Sequence, residues 1–297
     1  MTKRQFGYLL ISPTIIMFGL FAVYPVVRTL YLSFFEYRLQ FGETMTFVGL
    51  KHYVNMLTNE RFWNAFGFTM AFTALTVGFE VLLGLAFAQA MNKDYPGRGL
   101  LRVVVLIPWA IPTIVSGFMW KFMVHDQYGV INQMLRSVGL IRDYVPWLSR
   151  DIGAKAILIL ADIWKTAPYV SLMVLAGLQG IPRSLLEAAD IDGAGPIVRY
   201  FRITLPLLKP VLATAVLFRL IQSFKVYTVI VALTNGGPGN ATESLTLYTL
   251  RTYFDAGNYG YGSALASFTM IVTCGIAVCF LDVIRDKVEA GRKGRAR

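Results

Sequence analysis

Ionisable side chains, among them Glu80, Asp162, Lys165 and Arg219, lie well inside stretches apolar enough to cross a bilayer. A charge at the membrane centre costs about 2.5–3.5 kcal/mol on insertion scales, so each needs a partner or a function. Asp162 and Lys165 are three apart on one helix face and are expected to neutralise each other. Glu80 has no partner on its own helix and is expected to face another helix or another subunit. Arg219 stands with Gln222, Ser223 and Lys225 within two helical turns, among Phe218, Phe224 and Tyr227. Hydrogen-bonding groups beside flat aromatic faces suit a sugar, whose hydroxyls the former meet and whose C–H faces the latter cover. Gln222, Ser223 and Tyr227 are therefore candidate pathway residues, with Trp164 and Tyr248 as further aromatic candidates. The plainer reading pairs Arg219 and Lys225 with acids on neighbouring helices and makes the aromatic residues interface anchors.

Other chemistries find little support. His52 and His125 lie in separate polar segments away from any cysteine, so no metal site is expected. Cys274 and Cys279 are five apart on different faces of one apolar stretch and are not expected to pair. No GxxxxGK[ST] segment occurs, so ATP hydrolysis would have to reside on another chain. A membrane-embedded enzyme would need a histidine pair or a buried carboxylate pair, and only Glu80 and Asp162 could supply the latter by meeting in space.

Positioning these groups falls to helices in lipid. Hydrophobic residues make up 56% of the 297 and charged residues 15%, where soluble domains carry about 45–50% and about 25%. The fold class expected is an all-α integral membrane protein. Six stretches match the roughly 20-residue crossing length: Leu9–Leu32, Asn64–Met91, Leu101–Phe122, Gly153–Leu178, Val211–Leu233 and Tyr261–Ile284. They form one transmembrane domain over residues 1–297. The first, following Lys3 and Arg4, is too long for a signal-peptide core and lacks a small-residue cleavage site, so it is expected to stay as an anchor. The net charge of +11 would suit nucleic acid on a polar domain. Here the basic residues flank spans and act as topology signals, with no nucleic-acid role. Their denser set, including the tail 285–297, is expected to place both termini in the cytoplasm.

Two connecting segments carry pattern. Over Val130–Val138, Ile131, Leu135 and Val138 share a helical face with Asn132, Gln133 and Arg136 elsewhere, and Gly139 follows as a stop. This is a short interfacial helix or a packed loop. The segment Ile181–Pro210 reads IPRSLLEAADIDGAGPIVRYFRITLPLLKP. Ser184 and Glu187 have capping-box spacing. Gly193 and Gly195 end this first helix, and Pro196 opens a second, which Pro206 and Pro210 are expected to break before the fifth span. Such a hairpin either seals the bundle or docks a cytoplasmic partner.

The string Glu187-Ala188-Ala189, Asp192-Gly193-Ala194, Phe201, Ile203, Leu205-Pro206 and Pro210 resembles the EAA loop of binding-protein-dependent ABC importer permeases. Ile163-Trp164-Lys165 with Pro168, and Ala176-Gly177-Leu178-Gln179, resemble the preceding span in sugar permeases of the maltose and glycerol-phosphate type. Gly129-Val130-Ile131-Asn132, Trp147-Leu148, Thr234-Asn235-Gly236-Gly237-Pro238 and Gly260-Tyr261-Gly262-Ser263-Ala264 continue the likeness over most of the chain. The resemblance implies the first of two non-identical permeases, a second permease partner, a cytoplasmic ABC ATPase dimer and an external solute-binding protein. It implies coupling through Ser184, Glu187, Ala188, Ala189, Asp192 and Gly193, with ATP and Mg on the partner subunits and no cofactor in this chain. The cargo implied is a sugar or polyol. The alternatives are a non-sugar solute or a secondary transporter, though no internal repeat of spans supports the latter.

Overall fold

The computed structural model describes residues 3–38 and 45–295; the side chains of the basic tail lie outside the described residues. Helix dominates, as it must where no water is present to satisfy backbone groups and each segment must bond to itself. The chain forms two compact units, Met1–Trp63 with Leu245–Val272, and Asn64–Ser244 with Thr273–Arg297.

In the first unit, α1 runs through Leu10–Leu32 with none of its apolar window buried within the chain. A two-stranded antiparallel ladder follows, Phe35 opposite Phe47 and Glu36 opposite Thr46, then α2, Lys51–Thr58. Lys51 Nζ donates to Glu36 Oε2 at 2.9 Å, and that bond holds the Glu36 carboxyl below its ordinary pKa. His52 is buried because its Nε2 meets the Phe35 carbonyl oxygen at 3.0 Å, a structural bond rather than a ligand position.

The second unit takes in most of α3 (Glu60–Asn92), then α4 (Arg98–Ala110), α5 (Thr113–Met123), α6 (Val130–Ser137) and α7 (Asp151–Gln179). After these come α8 (Arg183–Ile191), α9 (Pro196–Phe224) and α10 (Thr228–Leu233). In the first unit, α11 (Leu245–Leu250) precedes α12 (Tyr259–Arg295), which passes into the second unit at its end. The longest buried face belongs to α7, whose Val170, Val174, Leu175 and Leu178 pack with Ala88 and Met91 of α3 and Leu208 of α9. Small residues allow the close crossings that hold helices together in lipid. A Cβ on Gly84 would lie 2.6 Å from Val170 Cγ1, and one on Gly177 would lie 2.9 Å from Leu208 Cδ2.

Two spans depart from the sequence expectation. The third is not continuous: α4 and α5 meet at 96°. Ile111 is extended at φ −72°, ψ 132° because the ring of Pro112 disfavours helix in the residue before it, so α5 restarts after the proline. The fifth span lies earlier than Val211–Leu233. It is one helix from Pro196 to Phe224, broken at Lys225–Tyr227 before α10. Pro206 and Pro210 do not break it. A π turn over Tyr200–Thr204 bonds Leu205 N–H to the Tyr200 carbonyl and widens the backbone where the Pro206 ring would clash with the fourth carbonyl back. The same device, a π turn over Gly19–Val23, precedes Pro25 in α1.

The helix expected over Val130–Val138 is present as α6, and Gly139 follows it at φ +76°. Its key residue is nevertheless polar. Asn132 is fully buried; its Nδ2 donates to the carbonyls of His125 (3.2 Å) and Val145 (3.1 Å). Its Oδ1 accepts from Val145 N–H (3.2 Å) and Trp147 Nε1–H (2.9 Å). Val138, expected on the apolar face, is 68% exposed. Asn132→Ala should lower stability by about 1–3 kcal/mol through the orphaned groups, and Asn132→Asp by at least as much, because its second carboxylate oxygen meets the His125 and Val145 carbonyls with no proton to donate. Thermal unfolding of the detergent-solubilised chain measures both; unfolding midpoints unchanged from wild type would contradict the hub assignment.

Candidate functional site: a buried charge network and a surface helix

A stripe of hydroxyls leads along α3 to the first site. Thr69, Thr73, Thr76 and Glu80 follow one another at spacings of four, three and four, and all are buried. This polar helical periodicity is a sequence signal that isolated charges do not display. Glu80 receives a two-pronged bond from Arg219 of α9, Nε to Oε2 at 2.5 Å and Nη2 to Oε1 at 2.6 Å. The same Nη2 reaches Asp162 Oδ2 of α7 at 3.1 Å, and Nη1 reaches Gln222 Oε1 at 3.1 Å. Thr166 Oγ1 donates to Glu80 Oε1 at 2.5 Å. One guanidinium thus ties three helices, and the fork geometry of arginine is what makes simultaneous engagement feasible.

The expected Asp162–Lys165 pair does not form. Asp162 turns to Arg219, while Lys165 Nζ donates to the carbonyl oxygens of Ile111 at 2.6 Å and Trp109 at 3.4 Å. Those carbonyls are orphaned by the α4–α5 break, and the end of a helix carries partial negative charge, so the ammonium caps it. Glu80 and Asp162 do meet in space, but around a cation that occupies both. Among the described residues no group of three or more histidine, cysteine or acidic side chains suits a metal ion.

The pathway candidates separate. Gln222 and Tyr227 are exposed at the α9 terminus and the following break, as is Lys225. Ser223 is buried, sharing a hydrogen bond with Thr76 at 3.0 Å. Trp164 is half-buried, with its ring centroid 6.0 Å from that of Trp120. Tyr248 belongs to the first unit, on α11 rather than in a loop. There it is buried, its hydroxyl 3.2 Å from that of Tyr261 and its ring 4.8 Å beneath the Arg61 guanidinium.

In the second site, α8 starts at Arg183 after Pro182, and no side chain caps it. The capping box therefore does not form: with Pro182 in the cap position, Ser184 falls inside the first turn. The far end is closed by backbone alone. Ala194 N–H bonds the Ala189 carbonyl at 2.9 Å and Gly193 N–H that of Asp190 at 3.1 Å, with Gly193 left-handed at φ +73°. Arg199 Nη1 then clamps Asp190 at 2.6 and 2.8 Å, stapling α8 to the start of α9. Ala189 faces inward, while Ser184, Glu187, Ala188, Asp192 and Gly193 are exposed beside Ile191 (87% exposed) and Ile197 (73%).

Several apolar helices of spanning length, one pair sharply bent, with a short exposed helix between Asp151–Gln179 and Pro196–Phe224, suit a transport permease. The model of the binding-protein-dependent transport system inner membrane component matches residues 80–290, and the chain belongs to that family. It is 41% identical over 283 residues to the trehalose/maltose transport system permease protein MalF of Thermococcus litoralis, covering 95% of each chain. To the sulfoquinovosyl glycerol transport system permease protein SmoG of Agrobacterium fabrum it is 38% identical, covering 96% of this chain and 92% of that one. Among solved structures it is similar to a chain of a bacterial ABC transporter that imports the acidic polysaccharide alginate. The TM-score is 0.83 at 25% identity, over 95% of this chain and 96% of that one. The expected fold class and family are thus met, and this is a membrane-spanning ABC importer permease.

Proposed function

We propose that this permease, with a second homologous permease, forms the path by which a sugar or polyol enters the cell. The relatives named above support that cargo class, as does an alginate transporter solved with its pentasaccharide-bound periplasmic protein. An external binding protein delivers the solute, and both termini face the cytoplasm. A cytoplasmic ATPase dimer, which carries ATP and Mg, drives the cycle through α8. Gln222 and Tyr227, exposed at the end of α9, are the strongest contacts for passing solute; Ser223, Trp164 and Tyr248 stand behind them.

The observation that carries this reading is the exposed face of α8. Glu187, Ala188 and Asp192 stand uncovered by the rest of the chain, and the small alanine permits close approach to a partner groove. The test is ATPase stimulation of the co-purified complex by a binding protein loaded with candidate sugars. Glu187→Lys should abolish most of that stimulation while the chain still inserts and co-purifies with the second permease. Gly193→Asp should act similarly, by straining a left-handed backbone position that L residues disfavour. Normal stimulation in both variants would overturn the coupling assignment.

A further inference from the structure

A cleft of about 280 Å³ opens where α8 meets the ends of α3 and α7 and the start of α9. Asn92, Lys93, Leu186, Arg199, Tyr200 and Thr204 are among its walls, and no acidic residue lines it. The side-chain polar atoms of Asn92, Lys93, Tyr200 and Thr204 have no hydrogen-bond partner among the described residues. Arg199 commits only Nη1 to Asp190 and keeps Nε and Nη2 for something else. Pro196 also lines the cleft, so the positive end of α9 adds to the two cations.

Unspent donors, two cations and a helix start around one cavity define the chemistry of a phosphate ester. We propose that this cleft binds a phosphate group, with Lys93 and Arg199 as its cations and Asn92, Tyr200 and Thr204 as its neutral contacts. The inference rests on the orientation proposed above, which puts the cleft at the cytoplasmic membrane face. Basic pockets between helices take anionic lipid headgroups there. The same chemistry would accept soluble phosphate. Because Arg199 also holds Asp190 of α8 through Nη1, an anionic occupant on Nε and Nη2 shares the guanidinium charge with that carboxylate and so weakens the staple between α8 and α9. Coupling then responds to the charge of the occupant.

The experiment uses the permease with its co-purified partners in nanodiscs of phosphatidylcholine alone or mixed with phosphatidylglycerol. Native mass spectrometry counts retained phosphatidylglycerol, and binding-protein-stimulated ATPase is measured in parallel. Wild type and Lys93→Arg should retain the anionic lipid several-fold more than Lys93→Gln, and only they should change stimulated rate between disc types. Lys93 is exposed, so these variants should fold normally. If inorganic phosphate added to phosphatidylcholine discs reproduces the change in rate, the occupant is soluble phosphate and the site stands. Equal lipid retention by Lys93→Gln, with no response of rate to lipid or phosphate, overturns the inference. Absence of binding-protein stimulation in the wild type in every disc would instead count against the importer reading on which the inference rests, while lipid retention, read independently, still decides the site.

Discussion

Glu80→Ala is expected to lower stability by about 3–5 kcal/mol, the usual result of removing one partner from a buried ion pair. Glu80 is fully buried and takes both prongs of Arg219. Without it the guanidinium keeps only Asp162 and Gln222, and Thr166 Oγ1 keeps only the Asp162 backbone carbonyl. The penalty arises from a buried three-charge network left short of bonds more than from one attraction lost. Glu80→Met with Arg219→Met alone would strand the Asp162 carboxylate, so the triple variant that adds Asp162→Leu should recover much of the stability, because all three charges leave together. Thermal unfolding in detergent tests this. A triple variant as unstable as Glu80→Ala would show that the network is not an isolated electrostatic unit.

The second large effect concerns a crossing rather than a charge. A Cβ on Gly84 would sit 2.6 Å and 2.8 Å from two carbons of Val170, and 3.2 Å from the backbone nitrogen of Ser171. The backbone contact cannot be relieved by a rotamer change. Gly84→Leu should thus separate α3 from α7 and cost about 3 kcal/mol, the upper part of the range for overpacking. A Cβ on Gly78 of the same helix would meet nothing within 4 Å, so Gly78→Leu serves as the control and should be nearly silent. Adding Val170→Ala should partly restore Gly84→Leu. Unfolding midpoints that drop equally for the Gly78 and Gly84 variants would indicate generic loss of glycine, not a specific crossing.

Composition and hydropathy are enough to find the class and most of the spanning helices, and the glycine and proline pattern marks the short helix α8 before the fifth. They fail wherever a partner is distant along the chain. Spacing matches Asp162 to Lys165 because neighbours on one helix are all a sequence displays, whereas Arg219 is 57 positions away and comes within reach only after folding. Lys165 is free to leave because a break at Pro112 creates carbonyls in need of a cation. That proline is visible, but hydropathy averages over it. Ser184 and Glu187 have the spacing of a capping box, and Pro182 decides the matter by occupying the cap position itself. Asn132 reads as a polar-face residue until its four partners in the backbone and Trp147 are in place. Among the proposed coupling residues the order along the chain is informative because α8 is local. Among the pathway candidates Ser223 and Tyr248 are buried, and burial depends on elements far away in sequence.

The uninterrupted run of α9 has a mechanical consequence. At about 1.5 Å per residue, its 29 residues make a rod roughly 43 Å long. Leu208, seated beneath Gly177, lies near mid-length between Pro196 and Arg219. A rod resting there behaves as a balanced beam. A tilt that pushes the Pro196 end by an ångström carries Arg219 about the same distance the other way, into or out of its carboxylate seat. Had Pro206 and Pro210 hinged it, the push would have been absorbed at the joint.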